Sequence, residues 1–459
     1  MMLLSQASQI LHAQHTGADV RFTAVSTDTR TIAKGDLFIA IRGENFDGAK
    51  FVTLAVQAGA VAAVVNADSK IADAPCPVLY VSDTRLALGQ LAAHWRAQFD
   101  IPLVAITGSN GKTTVKEMLA AILRAATGSE ESVLATRGNF NNDIGMPLTL
   151  LRMNAAHRYA VIEMGMNHPG EIDYLTRIAR PDVALVNNAS GAHLQGLGSV
   201  EGVARAKGEI FGGLKDDGTA VINADDAHAV LWRELAGPHR VLDFALEREA
   251  AVKGEWTGQG YGGTLLVHSP FCGLKMTLQV PGEHNARNAL AAATAALTLQ
   301  VAPEAIINGL EAFGGVAGRL QRKQALHGAM LIDDTYNANP ASMHAALEVL
   351  AQTRGKRIFV LGDMGELGDG AAQFHREIGI TARELGIEKM FALGSLSAGA
   401  VQEFGAGARH FESVEELNAV LDKEMDAQTT VLVKGSRFMK MERVVQFCAL
   451  QKEEACCSH

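Results

Sequence analysis

The sequence predicts an α/β protein of three domains, each built on a mainly parallel sheet covered by helices. Short runs rich in Val and Ile alternate along the chain with Ala- and Leu-rich segments at helical spacing, which is the pattern of strand–helix–strand units. The length of 459 residues exceeds what one hydrophobic core ordinarily serves, so two to four domains are expected. Polar residues follow the predicted strands, and open α/β sheets bind ligands at the carboxyl ends of their strands.

The first predicted unit comprises residues 1–84. It contains a helix near Ser5–His15, short strands near Ala24 and at Leu37–Ile41, and two further strands in the runs AVAAVV and PVLYVSD. An amphipathic helix is predicted from Thr84 to Phe99, where it connects this unit to the next.

The second predicted unit comprises residues 85–317 and the third comprises residues 318–459. In the second unit, the strands IPLVAIT, YAVIEM, DVALVN and TAVIN form a parallel sheet, and residues 250–280 predict antiparallel strands appended to it. In the third unit, the strands AMLIDD, RIFVLG, KMFALG and TVLVKG alternate with helices in a Rossmann-like pattern. No GxGxxG motif opens that pattern, so a dinucleotide site is not expected there.

Charge and cysteine content weigh against several classes of function. The net charge is -9 and the basic residues are scattered, which disfavours nucleic-acid and membrane-surface binding. The five cysteines form no CxxC pair, as expected of reduced thiols in a cytosolic protein. The amino terminus lacks the pattern of a signal peptide, and no run of about 18 apolar residues occurs. We therefore expect a cytoplasmic protein without a membrane span.

The strongest single motif is a glycine-rich loop between a buried strand and a helix, LVAITGSNGKTTVKEML. Glycines let backbone N–H groups turn toward phosphate oxygens, and the start of a helix adds partial positive charge. Lys112 can reach the β and γ phosphates of a nucleotide, and the Thr113 hydroxyl can ligate Mg²⁺. Only two residues separate the glycines, so an ordinary glycine-rich turn is the alternative. The strand before the loop and the Lys-Thr-Thr after it favour a phosphate loop.

Candidate metal ligands also stand at strand ends. Glu163 follows the strand YAVI and His193 follows DVALVN. Each alone would more often be a structural or solvated residue. Together, in the domain of the phosphate loop, they suit a Mg²⁺ site. Lys207 lies in a predicted helix, and the residue pattern alone indicates no more than an exposed helical lysine.

Two more clusters carry polar groups. His284, Asn285 and Asn288 share one face at a helix start, where the asparagines can either bind an adenine edge or cap the helix. In the third unit Asp334 ends a strand, and Arg319 at the domain boundary can reach a γ phosphate.

These motifs, in this order, resemble the Mur ligase family over nearly the whole chain. The resemblance implies that TGSNGKTT is the ATP loop, that Glu163 and His193 bind magnesium, and that Lys207 in AKGEI is carbamylated by CO₂. It assigns ATP binding to Gly108, Ser109, Asn110, Gly111, Lys112, Thr113, Thr114, His284, Asn285, Asn288, Arg319 and Asp334. It assigns the metal to Thr113, Glu163, His193 and carbamylated Lys207. It assigns catalysis to Lys112, Glu163, His193, Lys207 and Arg319.

Within the family, several motifs are most similar to those of the member that adds D-alanyl-D-alanine. These are GNFNNDIGMPLTLL, EMGMNHPGEI, AHLQGLGSVEGVARAKGEI, DDTYNANPASM and VLGDMGELG. STDTR and LFIAIRGENFDGAKF resemble the family's uridine-diphosphate-binding domain. One departure is Gly365, where the family more often has a bulkier residue.

The resemblance implies an ATP-dependent amide ligase of peptidoglycan synthesis that acts through an acyl phosphate. It would use two Mg²⁺ ions and, as a monomer, join D-alanyl-D-alanine to UDP-N-acetylmuramoyl-tripeptide. Contacts to the muramoyl-peptide precursor are predicted for Ser26, Thr136, Asn139, Asn141 and Asn142. Contacts to the dipeptide are predicted for Asn337, Asn339, Lys434 and Ser436.

Two alternatives remain at this point. A sibling ligase would add a diamino acid or a glutamate, but the DNPR motif typical of the diamino-acid member is missing here. A nucleotide-switch ATPase would explain Lys112 and Thr113, but it gives no reason for Glu163, His193 and Lys207.

Overall fold

A computed structural model describes residues 1–43, 46–69, 71, 73–191, 194–259 and 261–449. The chain folds into three α/β domains arranged around parallel sheets, as the sequence predicts. Within this described part of the chain, none of the helices combines the length and the apolar character that crossing a membrane requires.

The amino-terminal domain carries a five-stranded sheet of order β2-β7-β6-β5-β4, in which all pairs except β2–β7 are parallel. A small antiparallel pair, β1–β3, lies beside it. The elements are β1 (Met2–Leu3), α1 (Leu4–Leu11), β2 (Gln14–Thr16), β3 (Arg21–Phe22), β4 (Ala24–Ser26), β5 (Asp36–Ile39), α2 (Val52–Ala58), β6 (Ala62–Asn66) and β7 (Val78–Val81).

Three elements in this region end earlier than predicted, and one of them, β5, ends at Ile39 rather than Ile41. The first helix stops at Leu11 rather than His15, because His12 adopts a left-handed conformation (φ 48°) that ends it. Gln14–Thr16 then pairs with β7 as a strand. The connecting helix α3 spans Thr84–Arg96, three residues short of the predicted end, and Asp83 caps its start.

The central domain is a nine-stranded sheet of order β16-β15-β14-β13-β12-β11-β8-β10-β9. Its first half comprises β8 (Leu103–Thr107), α4 (Lys112–Thr127), β9 (Val133–Ala135), α5 (Gly145–Leu151), β10 (Tyr159–Glu163), α6 (Glu171–Ala179), β11 (Val183–Val186), α7 (Leu194–Leu197) and α8 (Val200–Gly208). Its second half comprises β12 (Thr219–Asn223), α9 (Ala229–Leu235), β13 (Arg240–Ala245), β14 (Val252–Gln259), β15 (Gly262–His268), β16 (Gly273–Leu278), α10 (Glu283–Thr298) and α11 (Pro303–Glu311).

The predicted antiparallel extension of this sheet is confirmed. β14 pairs in parallel with β13, and β15 is antiparallel to both of its neighbours, β14 and β16. Along β16, Leu274, Met276 and Leu278 are buried while the residues between them face solvent. This period of two is what a sheet covered on one face requires.

The carboxyl-terminal domain is a six-stranded sheet of order β17-β18-β22-β19-β20-β21, antiparallel only at the β17–β18 edge. Its elements are β17 (Gln321–Gln324), β18 (Met330–Asp334), α12 (Pro340–Ala351), β19 (Lys356–Gly362), α13 (Ala371–Glu384), β20 (Lys389–Leu393), α14 (Ser397–Phe404), β21 (Ala408–Phe411), α15 (Val414–Glu424), β22 (Thr429–Lys434) and α16 (Glu442–Cys448).

The amino-terminal and central domains share a hydrophobic core, whereas the carboxyl-terminal domain has cores of its own. One core runs without interruption from Met2 and Leu4 of the amino-terminal domain to Trp232 of the central domain, with the α3 residues Leu88 and Leu91 inside it. The carboxyl-terminal domain has separate cores on the two faces of its sheet. A glycine-rich segment, residues 312–320, leads into it from α11.

Candidate functional site

A cavity of about 1150 Å³ lies between the central and carboxyl-terminal domains. Loops after β8, β9, β10 and β11 and the start of α10 form its central side, and loops after β18, β19 and β22 form the other side. This is the edge at which parallel sheets bind ligands. The predicted site residues that line it are Ser109, Asn110, Gly111, Lys112, Thr114, Asn139, Asn141, Asn142, Glu163, His284, Asn285, Asn288, Arg319, Asp334, Asn337, Asn339, Lys434 and Ser436.

Other predicted residues do not line this cavity. Gly108 lies in the loop after β8, Thr113 lies in the first turn of α4, and Thr136 and Lys207 are buried. Ser26 is buried in the amino-terminal domain, where its hydroxyl lies 3.1 Å from the Asp28 carbonyl oxygen. His193 falls outside the described residues, so its assignment stays a prediction.

The glycine-rich loop of residues 108–111, named the phosphate loop for its predicted role, connects the buried strand β8 to α4, which begins at Lys112. Gly111 has φ +80°, and a Cβ there would lie 2.3 Å from Asn288 Oδ1, so this position requires glycine. Lys112 Nζ donates to the Gly108 carbonyl at 2.6 Å, so the side chain folds back over its own loop. Burial lowers the pKa of Lys112, Glu163 opposes that shift, and the nearby Arg319 adds to it. A phosphate would relieve this crowding of positive charge.

Glu163, at the end of β10, bonds both to the start of α4 and to the loop that follows β9. Its Oε2 accepts from the Thr113 hydroxyl at 2.9 Å, and its Oε1 accepts from Asn141 Nδ2 at 2.7 Å. The Glu163 N–H donates to Thr136 Oγ1 at 3.0 Å, so Thr136 supports the carboxylate from behind. Thr113 also accepts from Arg319 Nη2 at 3.1 Å.

The oxygen donors at this point fit a hard divalent cation. A hydroxyl and a carboxylate, Thr113 and Glu163, stand together beside the phosphate loop, and Mg²⁺ prefers oxygen ligands. Across the described parts of the chain, no three His, Cys, Asp or Glu side chains converge into a complete metal site. A cation here would therefore share its coordination with phosphate oxygens and water, as Mg²⁺ usually does in nucleotide sites.

Lys207 is buried to 1% exposure near the end of α8, so the interpretation as an exposed helical lysine is wrong. Burial holds its pKa well below the ordinary value, and the charge of Lys112 adds to the shift. A buried amine that faces a second lysine is favoured in its neutral, nucleophilic form.

The start of α10 decides between the two interpretations of its asparagines. The residue that caps this helix is Gly282, and no side chain bonds to the free N–H groups. Asn285 Nδ2 instead donates to the Pro281 carbonyl at 2.8 Å, and Asn288 Oδ1 accepts from Asn187 Nδ2 at 2.9 Å. The asparagines are therefore part of the cavity wall and do not act as helix caps.

Burial of His284 makes the stability of the folded protein depend on pH. Burial lowers its pKa from 6.5 to about 4, with Asp334 opposing the shift. In the unfolded chain this imidazole takes up a proton near pH 6.5, whereas in the folded protein it stays neutral until about pH 4. The unfolded state thus binds more protons in this window, so stability falls as pH falls from 6.5 toward 4. We expect the melting temperature of His284→Gln to decline less over this window than that of the parent. Equal slopes would contradict this.

On the opposite side, Asp334 and Lys434 form a buried ion pair. Lys434 Nζ lies 2.5 Å from Asp334 Oδ2 and also donates to the Asn337 carbonyl at 3.0 Å. The second oxygen of Asp334 accepts from the Leu320 N–H at 3.1 Å. The pair joins the ends of the neighbouring strands β18 and β22 to the segment that enters the domain.

Asp334→Asn is expected to lower the free energy of unfolding by about 3 kcal/mol, because it leaves the Lys434 ammonium buried without its counter-charge. Thermal melting in the absence of ligands measures this effect. The double variant Asp334→Asn/Lys434→Met is the control and should recover most of the loss. A double variant as unstable as the single one would contradict the explanation.

Two hydrogen bonds cross the cavity and hold the carboxyl-terminal domain over the phosphate loop. Asn339 Nδ2 donates to Asn110 Oδ1 at 2.8 Å, and Arg319 donates to Thr113 as described. Asn339 also caps α12 through the Ser342 N–H at 2.9 Å. The Arg319 guanidinium stacks 4.2 Å from the centre of the Tyr336 ring. Its Nε is buried without a hydrogen-bond partner among the described residues, which leaves a donor for an anion.

The structure adds residues that sequence reasoning missed. Lys116 is fully buried on α4, and its Nζ donates to the Thr136 carbonyl at 2.6 Å, which ties the loop behind Glu163 to the phosphate-loop helix. Asn187 and Asn188 follow β11 and bond to Asn110 at 3.0 Å each. The position of the asparagine pair at a strand end was the available signal. Nothing in the sequence distinguishes Lys116 from an exposed helical lysine.

Comparison with known protein families finds three matches along the chain. The description "Mur ligase family, catalytic domain" matches residues 21–96, "Mur ligase middle domain" matches residues 106–296, and "Mur ligase, glutamate ligase domain" matches residues 318–437. The UDP-N-acetylmuramoyl-tripeptide--D-alanyl-D-alanine ligase of Escherichia coli (strain K12) is 42% identical over 99% of both chains. The ligase of the same name from Bacillus subtilis (strain 168) is 38% identical over 92% of both.

Solved structures of ligases in this family are similar to this chain over nearly their whole length. A crystal structure of MurF from Acinetobacter baumannii superposes with a TM-score of 0.89 at 37% identity, covering 97% of this chain and 98% of the other. MurF ligase from Thermotoga maritima in complex with ADP gives 0.81 at 26% identity, covering 93% and 96%. With family matches in all three domains and relatives aligned end to end, this chain belongs to the Mur ligase family.

Proposed function

We infer that this protein is an ATP-dependent ligase that joins D-alanyl-D-alanine to UDP-N-acetylmuramoyl-tripeptide in peptidoglycan synthesis. The observation that carries this conclusion is identity of 42% over 99% of the chain to a ligase of that name. The geometry suits the reaction, because a phosphate loop faces polar strand-end loops of a second domain across one cavity. An acyl donor can be activated on one wall while an amine is held on the other.

The proposed first step is activation of the precursor. An oxygen of its terminal carboxylate attacks the γ phosphorus of ATP, the bond from that phosphorus to the bridging oxygen breaks, and ADP leaves. Lys112 and Arg319 offer positive charge to the oxygens on which negative charge develops, which is the main catalytic requirement in phosphoryl transfer. We place the adenine against Asn285 and Asn288.

The second step forms the amide. The amine of the dipeptide attacks the acyl carbon, the bond from that carbon to the phosphate oxygen breaks, and the nitrogen loses a proton as phosphate departs. Water would hydrolyse the acyl phosphate, so the site must be covered during this step. The bonds from Asn339 to Asn110 and from Arg319 to Thr113 are contacts that can hold the cover closed.

Magnesium binding is proposed for Thr113 and Glu163, with His193 completing the set. When bound, Mg²⁺ polarises phosphate oxygens and neutralises their charge. Thr113 and Glu163 are already aligned for this role, since Asn141, Thr136 and Arg319 fix their orientation. We further propose a second ion near Lys207.

We also propose that Lys207 is carbamylated. The neutral amine attacks CO₂, a nitrogen–carbon bond forms, the electrons of one carbon–oxygen π bond move onto oxygen, and a proton leaves the nitrogen for solvent, so a neutral group becomes an anion. Next to Lys112 the anion is attracted to the ammonium, and it supplies oxygens that suit a cation. Burial lowers the pKa of Lys207, which favours the reactive neutral form.

Each domain has its own ligand in the proposed function. We propose that residues 1–84 bind the uridine diphosphate end of the precursor, that residues 85–317 bind ATP, and that residues 318–459 bind the dipeptide. Asn139, Asn141 and Asn142 lie on the central-domain wall of the cavity, and we propose that they contact the muramoyl-peptide. We propose that the protein acts as a monomer in the cytoplasm.

Phosphate release tests the function. The assay contains ATP, Mg²⁺ and UDP-N-acetylmuramoyl-tripeptide, with or without D-alanyl-D-alanine. We expect release that depends on the dipeptide, with a product heavier than the precursor by one dipeptide residue unit. Release that depends instead on a single amino acid would identify a sibling ligase. Release that ignores both substrates would identify an ATPase.

A further inference from the structure

A phenylalanine in the cavity wall, Phe438, has no role in the proposed reaction. Phe438 lies in the short turn Arg437–Met439 after β22, lines the cavity, and is 62% exposed. A phenylalanine ring buries about 150–250 Å² when it is covered, and leaving that surface in water is unfavourable. An exposed ring on the wall of a substrate cavity therefore points to a ligand that covers it.

The position of this ring depends on a glycine in the neighbouring loop. Gly365 follows β19, and a Cβ at this residue would lie 2.9 Å from Phe438 Cε1, closer than such contacts occur. The Gly365 N–H donates to Ser436 Oγ at 2.9 Å, and that hydroxyl lies 3.3 Å from the Ala338 carbonyl oxygen. The loops after β18, β19 and β22 are thus joined, and the ring rests on the bare backbone of Gly365.

The chemistry of the surroundings indicates which part of a ligand would reach the ring. The attacking amine must come close to the γ phosphate at Lys112, so the other end of the acceptor points away from the phosphate loop. Phe438 stands on the opposite domain, among the strand-end loops that face the phosphate loop. Beside it, Arg437 is 66% exposed and pairs with Glu442 at a long 3.3 Å, so its charge is available to a carboxylate.

We propose that the Phe438 ring, seated on Gly365, contacts the C-terminal methyl group of D-alanyl-D-alanine and thereby selects the acceptor. This inference rests on the proposed function and adds a specificity residue to it. One methyl group in an apolar contact changes discrimination by about 10–200-fold. Because the Phe438 ring is 62% exposed, we expect a discrimination near the lower end, about tenfold.

The test compares two acceptors, D-alanyl-D-alanine and D-alanyl-glycine, which differ by that methyl group. The parent protein should prefer the first by about tenfold in kcat/KM. Phe438→Ala should raise KM for D-alanyl-D-alanine about tenfold and remove the preference, with KM for ATP and for the precursor unchanged. Phe271→Ala is the matched control, because Phe271 is 50% exposed in the turn between β15 and β16, away from the cavity.

Gly365→Ala tests the seat of the ring. In the parent background its methyl group should displace the ring and raise KM for D-alanyl-D-alanine, whereas in the Phe438→Ala background it should have no further effect. Equal losses for both acceptors in Phe438→Ala, or no loss, would overturn the proposal. Equal effects of Gly365→Ala in both backgrounds would overturn the seating on Gly365. A parent protein that ignores both dipeptides would instead refute the proposed function, and this inference with it.

Discussion

Lys112→Met is expected to lower kcat/KM for dipeptide-dependent phosphate release by about 10³-fold or more, which corresponds to about 4 kcal/mol of transition-state stabilisation. Lys112 is the cation at the start of α4, and its ammonium lies over the loop, 2.6 Å from the Gly108 carbonyl oxygen. Methionine keeps the apolar stem and removes the charge. The loss should therefore fall mainly on kcat, because negative charge on the γ phosphate oxygens grows toward the transition state.

The control for Lys112→Met is Lys275→Met, on the exposed face of β16. It removes the same charge away from the cavity and should leave kcat/KM within about twofold of the parent, as surface substitutions usually do. Melting temperatures of both variants separate lost chemistry from lost folding. A Lys112→Met protein that folds and retains kcat/KM within about tenfold of the parent would remove Lys112 from the catalytic scheme.

Lys207→Met is expected to lower kcat by about 10³-fold without lowering the melting temperature. Replacing a buried amine by an apolar side chain of similar length removes a desolvation cost, so stability should be equal or higher. A purely structural lysine would behave in the opposite way. The combination of unchanged stability and lost turnover is therefore the signature of a functional group.

Varying the concentration of carbon dioxide tests whether Lys207 is carbamylated. Degassed buffer should reduce the activity of the parent protein, and added bicarbonate should restore it, whereas Lys207→Met should respond to neither. Carbon-13-labelled bicarbonate should give a carbamate carbon signal in the parent that is missing in the variant. As pH falls through the lowered pKa of Lys207, the amine becomes protonated and the signal should disappear. A parent protein indifferent to CO₂ would refute carbamylation.

The strand–loop–helix arrangement around the predicted phosphate loop could be read from the sequence because the motif is local. Strand, glycines, lysine and helix follow one another within a few residues, so the order of the chain nearly fixes the geometry. The same is true of the antiparallel strands β14–β16, whose alternation of apolar residues is visible directly. The end of α1 was misjudged because the left-handed turn at His12 and the pairing of Gln14–Thr16 with β7 depend on distant residues.

Burial, by contrast, is a tertiary property that the sequence pattern does not reveal. Lys116 and Lys207 look like surface lysines of amphipathic helices, yet both are buried, and only the family resemblance singled out Lys207. Asp334 and Lys434 are 100 residues apart, and their pairing follows from the neighbouring positions of β18 and β22 in the sheet. Phe438 and Gly365 meet for the same reason, across the ends of β22 and β19.

The continuous core that joins the amino-terminal and central domains gives the protein two mechanical bodies rather than three. Relative motion of those two domains would break hydrophobic packing from Met2 to Trp232. Motion of the carboxyl-terminal domain needs rotation in the segment that contains Gly315 and Gly318, both at positive φ, and the loss of the hydrogen bonds from Asn339 to Asn110 and from Arg319 to Thr113. Any ligand that touches both bodies across the cavity lowers the free energy of the closed arrangement. If nucleotide and acceptor both touch the two bodies, each strengthens the binding of the other by the same factor. The cavity then couples the binding of two ligands that do not need to contact each other.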